Sequence, residues 1–378
     1  VAATRNDDPA KEAETPTSPD DPQSDHQPPA FQSLRFDPPE IKDGGLAVLS
    51  VTASDELSGV KFVSGTVQSP SATASVPFTA YDETGAGVFT VGIAIPHQAE
   101  TGDWFVSSLQ IVDKADNPLT LKFAKDTVPQ GGSLRVVSAE SDSTAPTVHG
   151  VSLDKGQLNP GETNRVVVDV DDDRSGVAKV TGAFQSPSKS AFIPFTCRPA
   201  ANASAWAADV PVPANAECGE WTLRHLMVAD NANNTAVLSG DDPQWGRVGF
   251  LVASSGPCDA EPPVIDAMSF APATVSNSAA VDIVLSVAAH DEGSGVASLF
   301  GRIEGPPSPQ GQVARIPFEC APDPRDPEAP MTAKISVPQF AAKGIWSVIW
   351  VQVTDKANNT RPYYKDDPAL AGGVFRVE

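Results

Sequence analysis

Along most of the chain apolar and polar residues alternate with a period of two, and Gly, Pro, Asn and Asp interrupt the alternation about every ten residues. Alternation of this kind puts every second side chain on one face of an extended strand, so each run predicts a half-buried strand between turns. Between residues 145 and 252 the expected strands are Val148–Leu153, Arg165–Asp171, Val177–Phe184, Ser190–Phe195, Ala205–Val210, Trp221–Ala229 and Arg247–Val252, with no helix. The strand bearing Trp221 changes phase midway: Trp221 and Leu223 share one face, whereas Leu226, Val228 and Asp230 continue in the opposite phase. A bulge in that strand reconciles the two halves.

The pattern recurs three times. Gly102-Asp103-Trp104 leads to Asp113-Lys114-Ala115-Asp116-Asn117, Gly219-Glu220-Trp221 to Asp230-Asn231-Ala232-Asn233-Asn234, and Gly344-Ile345-Trp346 to Asp355-Lys356-Ala357-Asn358-Asn359. Pro29, Pro146 and Pro263 open the three copies at intervals of 117 residues. A fixed long period means one structural unit repeated in tandem. Seven short strands per copy predict an all-β chain of three tandem immunoglobulin-like antiparallel β-sandwiches. The expected organisation is an acidic, proline-rich disordered tether at 1–27, modules at 28–137, 145–252 and 262–378, and linkers at 138–144 and 253–261. The three repeated tryptophans are expected to plug the cores.

A second repeated signal is Asp55-Glu56-Leu57-Ser58-Gly59-Val60, matched by Asp172-Asp173-Arg174-Ser175-Gly176-Val177 and Asp291-Glu292-Gly293-Ser294-Gly295-Val296. Strand phase places Asp55, Asp172 and Asp291 on the inward face, and the same holds for Asp113, Asp230 and Asp355 at the end of the tryptophan strand. In a sandwich of this topology the two turns share one pole, so two carboxylates per module converge above the core. Their repulsion needs an offset. Calcium would supply one, with Asn117, Asn234 and Asn359 adding oxygens; turns closed by Asp and Asn side chains are the alternative. Nothing in the spacing matches a helix–loop–helix calcium site.

Composition narrows the partners. A formal net charge of −22 argues against nucleic acid or anionic membrane. No apolar run reaches the length of a membrane helix, and no signal peptide stands at the start, so the sequence reads as a mature or trimmed product, expected to be monomeric. Of the four cysteines, the local pairings Cys197–Cys218 and Cys258–Cys320 are expected, which implies an oxidising compartment. None of the five histidines recurs at equivalent positions; His290, Asp291 and Ser294 form a catalytic trio in composition only. Trp245 and Trp350 do not recur either and are the candidates for stacking on a sugar or a protein.

The G-x-W…D-x-A-x-N pattern resembles the bacterial immunoglobulin-like repeats of extracellular and surface proteins, although the usual glycine before the final Asn is here Asp116, Asn233 or Asn358. The resemblance implies a stalk, adhesin or accessory module, in some cases stiffened by calcium. The expectation is thus a non-catalytic extracellular or cell-envelope adhesion or spacer protein with a protein or glycan surface ligand. The alternative is a carbohydrate- or protein-binding accessory region of a secreted enzyme.

Overall fold

The computed structural model describes residues 24–200, 205–242, 247–253, 258–308 and 311–378. The chain is all-β, and its sheets fall into three sets of two packed face to face. In the first set Ala30–Asp37, Leu46–Ser54 and Val88–Ala94 form one antiparallel sheet. The facing sheet runs Glu40–Lys42, Ser133–Val137, Gly102–Asp113, Val60–Gln68, Ser75–Ala80, and only its first pair is parallel. The second and third sets repeat this order around the tryptophan strands Gly219–Asp230 and Gly344–Asp355. A short strand beyond each tryptophan strand folds back on it: Pro118–Lys122, Thr235–Ser239 and Thr360–Tyr364. The period-two pattern does not announce these strands because much of their surface stays in water, Val237 at 68% exposure.

The three tryptophans are fully buried at the centre of three separate cores. Each indole N–H is satisfied by a backbone carbonyl four residues earlier, Glu100, Glu217 or Ala342, at 2.8 Å. The expected bulge is present in every copy. The register against the neighbouring strand slips between Val106 and Ser108, between Leu223 and His225, and between Val348 and Trp350. The glycine two residues before each tryptophan has a steric cause. Gly219 has φ +126°, and a Cβ there would lie 2.8 Å from the Pro187 ring.

Contacts between the sheet sets repeat at the same 117-residue interval. The N–H of Asp142 donates to the carbonyl of Gln98 in the first sandwich, and the carboxylate of Asp142 accepts the N–H of Ser175 in the second. Asp259 links Asn215 to Ser294 in the same way. Asp25 links Phe340 of the third sandwich to Ser58 of the first. The three sandwiches therefore close head to tail into a ring, the outcome of a heterologous contact whose rotation closes. Ser24, Asp25 and His26, at the end of the expected disordered tether, are buried in this closing joint; residues 1–23 lie outside the described residues.

The cysteine pairing differs from expectation. The disulfide is Cys218–Cys258, while Cys197 and Cys320 are free and buried in the cores of the second and third sandwiches. Cys197 follows the strand Phe192–Thr196 and Cys320 ends Val313–Cys320, so both act as small apolar plugs. Cys218 and Cys258 lie instead at the joint between second and third sandwich, where the connector crosses the loop before the tryptophan strand.

Candidate functional site: the acidic poles

At the end of each tryptophan strand the chain makes a tight turn that explains D-x-A-x-N residue by residue. The Asn117 backbone N–H donates to one carboxylate oxygen of Asp113 at 2.7 Å, and its side-chain amide donates to the other at 2.8 Å. Asp230 with Asn234 and Asp355 with Asn359 repeat both bonds. Ala115, Ala232 and Ala357 are fully buried, leaving no room for a larger side chain. Asp116, Asn233 and Asn358 have φ of 68–70°, the left-handed region that Asn and Asp tolerate best after glycine. This accounts for the missing glycine at that position.

The opposite turn is held by Asp55, Asp172 and Asp291. One oxygen of Asp55 accepts the N–H groups of Leu57, Ser58 and Gly59. One oxygen of Asp172 accepts those of Arg174 and Gly176, and one of Asp291 those of Gly293 and Gly295. These aspartates are half-buried, whereas Asp113, Asp230 and Asp355 are at most 1% exposed. The turn role weighed against calcium is thus real, and the carboxylates also cluster.

A third aspartate completes each cluster, and it comes from the connector. Ligand oxygens of Asp25, Asp55 and Asp113 lie within 4.8 Å of one another, as do those of Asp259, Asp291 and Asp355. In the second sandwich the group is Asp142, Asp172 and Asp173. Asp230 stands beside it, and Asp142 and Asp172 both push its carboxyl up in addition to burial. Asp25, Asp142 and Asp259 are themselves buried. Their spacing of 117 residues, four before Pro29, Pro146 and Pro263, is the sequence signal that could have revealed them.

Burial without a cation is costly for these groups. It drives Asp113 up to about 8 and Asp355 up to about 6, and the neighbouring carboxylates add to the rise. The side-chain amides of Asn117, Asn234 and Asn359 tie each pole to its connector. Each donates to the backbone carbonyl of its connector aspartate, and the side-chain oxygens of Asn234 and Asn359 accept the hydroxyls of Thr73 and Ser190 from the preceding sandwich.

The remaining residues singled out in the sequence disperse. Ring nitrogens of His290 and His149 lie 2.8 Å from the surface carboxylates of Asp266 and Asp171, and the Ser294 hydroxyl accepts the Ala357 N–H, so the His290, Asp291 and Ser294 trio does not assemble. Trp245 lies outside the described residues. Trp350 is half-buried on the outer face of its sheet, edge to face with Phe300 at 5.6 Å and paired across the strand with Tyr364.

No protein-family model matches the chain, and no curated protein sequence matches it. Among solved structures, a DUF4785 family protein from Legionella pneumophila is similar over 89% of this chain and 84% of that one, with 9% identity and a TM-score of 0.21.

Proposed function

We propose that the chain is a non-catalytic extracellular or cell-envelope binding protein, of the adhesion or spacer kind, whose joints are stiffened by calcium. The observation that carries this reading is where the acidic poles lie. Each is completed by an aspartate of the segment entering the sandwich, so a cation there would tie connector to sandwich. The donor set is entirely oxygen, which suits a hard cation tolerant of irregular coordination. Asp25, Asp55 and Asp113 would hold it at the first pole, Asp142, Asp172 and Asp173 at the second, and Asp259, Asp291 and Asp355 at the third. The disulfide supports an oxidising compartment. The closed ring favours the adhesion half of the reading over a linear spacer.

Calorimetric titration of EDTA-stripped protein with calcium chloride tests it. Binding heat and a raised melting temperature are expected, a free-ligand concentration of a hundred times Kd being worth about 2.7 kcal/mol. Magnesium should substitute poorly. Absence of heat together with melting that ignores EDTA would reduce the poles to hydrogen-bonded turns.

One observation favours the alternative of a glycan- or protein-binding accessory region. Phe300, Trp350 and Tyr364 stand together on the outer sheet of the third sandwich, with Phe300 and Tyr364 at 44% and 63% exposure. By strand register the same places are Ser64, Ser108 and Lys122 in the first sandwich and Thr181, His225 and Ser239 in the second. A glycan array on which binding disappears with Trp350→Ala, with melting unchanged, would support this alternative; an unaltered array would set it aside.

A further inference from the structure

The three joints of the ring share one plan but differ in strength. Every joint has the connector aspartate and a second contact one residue before it. At the first joint the Ser141 hydroxyl accepts the N–H of Thr101, and at the closing joint the Ser24 hydroxyl accepts that of Lys343, both at 2.8 Å. At the second joint Cys258 and Cys218 occupy these positions and form the disulfide. A covalent bond therefore replaces, at one joint, what a single hydrogen bond does at the other two.

A separate contact joins neighbouring sandwich bodies directly. The Thr73 carbonyl accepts the N–H of Thr235 at 3.0 Å and the Thr73 hydroxyl donates to Asn234 at 2.7 Å. Ser190 repeats this with Thr360 and Asn359, at 2.8 and 3.0 Å. Both sides of this contact are altered where the third sandwich meets the first. Thr73 and Ser190 each precede a buried alanine, Ala74 or Ala191; in the third sandwich the loop is longer, and the residue before Ala314, the alanine at that strand register, is Val313, which has no hydroxyl. The residue after the turn asparagine, Thr235 or Thr360 elsewhere, is Pro118, which has no N–H to donate.

We infer that the ring opens at the joint between third and first sandwich, and that residues 24–27 are the clasp that holds it shut. Among the described residues, the closing joint keeps the bonds made by Ser24 and Asp25 and has neither a disulfide nor the hydroxyl-plus-amide contact. Opening there turns a closed triangle into a linear array still held by its two stronger joints. The faces uncovered are the acidic pole of the first sandwich and the loop around Phe340 of the third.

Hydrogen exchange on the full chain reads this directly, because equivalent amides make equivalent bonds. Lys343 should exchange at least about tenfold faster than Thr101, since local opening sets exchange. Equal protection would overturn the inference. Deleting residues 1–26 should raise the radius of gyration in X-ray scattering while all strands stay protected; an unchanged radius would show that the segment is no clasp. The double variant Ser24→Cys with Lys343→Cys copies the disulfide of the second joint. It should oxidise within one chain and slow exchange at Lys343 to the level of the disulfide joint. Failure to oxidise in folded protein would refute ring closure itself.

Discussion

Replacing Cys258 by serine gives the second joint the residue that the other two joints carry, and its cost can be worked out. The Cys218–Cys258 bond closes a loop of sequence separation 40 that contains much of the second sandwich, including the strands Thr235–Ser239 and Gly249–Val252. Loop-closure entropy for that length is about 13 cal/mol/K, or about 4 kcal/mol at 25 °C. A serine hydroxyl accepting the N–H of residue 218, as Ser141 does from Thr101, returns about 1 kcal/mol. The net loss is then about 3 kcal/mol. A unit of roughly 110 residues unfolds with an entropy of about 0.23 kcal/mol/K, so its transition should fall by about 13 °C. Scanning calorimetry of Cys258→Ser should show one transition shifted and the others in place, and wild type with reductant should shift likewise. A shift below about 2 °C would mean that the joint is already rigid without the bond and that the entropic reasoning fails.

Further tests concern the poles. Asp113 and Asp355 carry protons in the folded chain up to about pH 8 and about pH 6, whereas in the unfolded chain they ionise near 3.8. The stability these protons contribute is complete below about pH 4 and is lost as pH rises through those values, at up to about 1.4 kcal/mol per pH unit per proton. Urea midpoints measured at rising pH in EDTA should therefore decline between about pH 4 and 8, and a flat profile would contradict the burial argument. Asn234→Ala removes both side-chain donations, to Asp230 and to the Asp142 carbonyl, along with the acceptor for Thr73. It should cost about 2–4 kcal/mol in chemical denaturation and speed exchange at the first joint, because one oxygen of the buried Asp230 carboxylate and the Asp142 carbonyl lose their donor while the backbone N–H of residue 234 still serves the other oxygen.

How much of this was legible in the sequence depended on whether a feature is local. The tryptophan plug, its bulge and the inward phase of Asp113, Asp230 and Asp355 follow from alternation within single strands, and all are present. The short strands Pro118–Lys122, Thr235–Ser239 and Thr360–Tyr364 escaped because they bury little and therefore show weak alternation. The cysteine pairing failed for a related reason. Proximity in sequence favoured Cys197–Cys218, but Cys197 points into the core while the connector carries Cys258 to Cys218. Asp25 escaped because the first 27 residues are acidic and poor in large apolar side chains. That composition marks a segment unable to form its own core but says nothing of one that docks into a joint.

The position of Asp25 also bears on why the chain closes at all. Three sandwiches in a row need two connectors between them, and Ser138–Thr144 and Ala253–Glu261 supply both. The segment before the first sandwich nevertheless carries the same parts at the same offsets: Ser24 where Ser141 and Cys258 stand, and Asp25 where Asp142 and Asp259 stand. In a linear array the Asp25 carboxylate would still reach Ser58, but the Ser24 hydroxyl and the Asp25 N–H would lose their partners on the third sandwich. In the ring they meet Lys343 and Phe340, as Ser141 and Asp142 meet Thr101 and Gln98. The third connector thus serves a third joint, between the third sandwich and the first. The weaker residues at that joint, Val313 and Pro118, make it the place where closure is reversible.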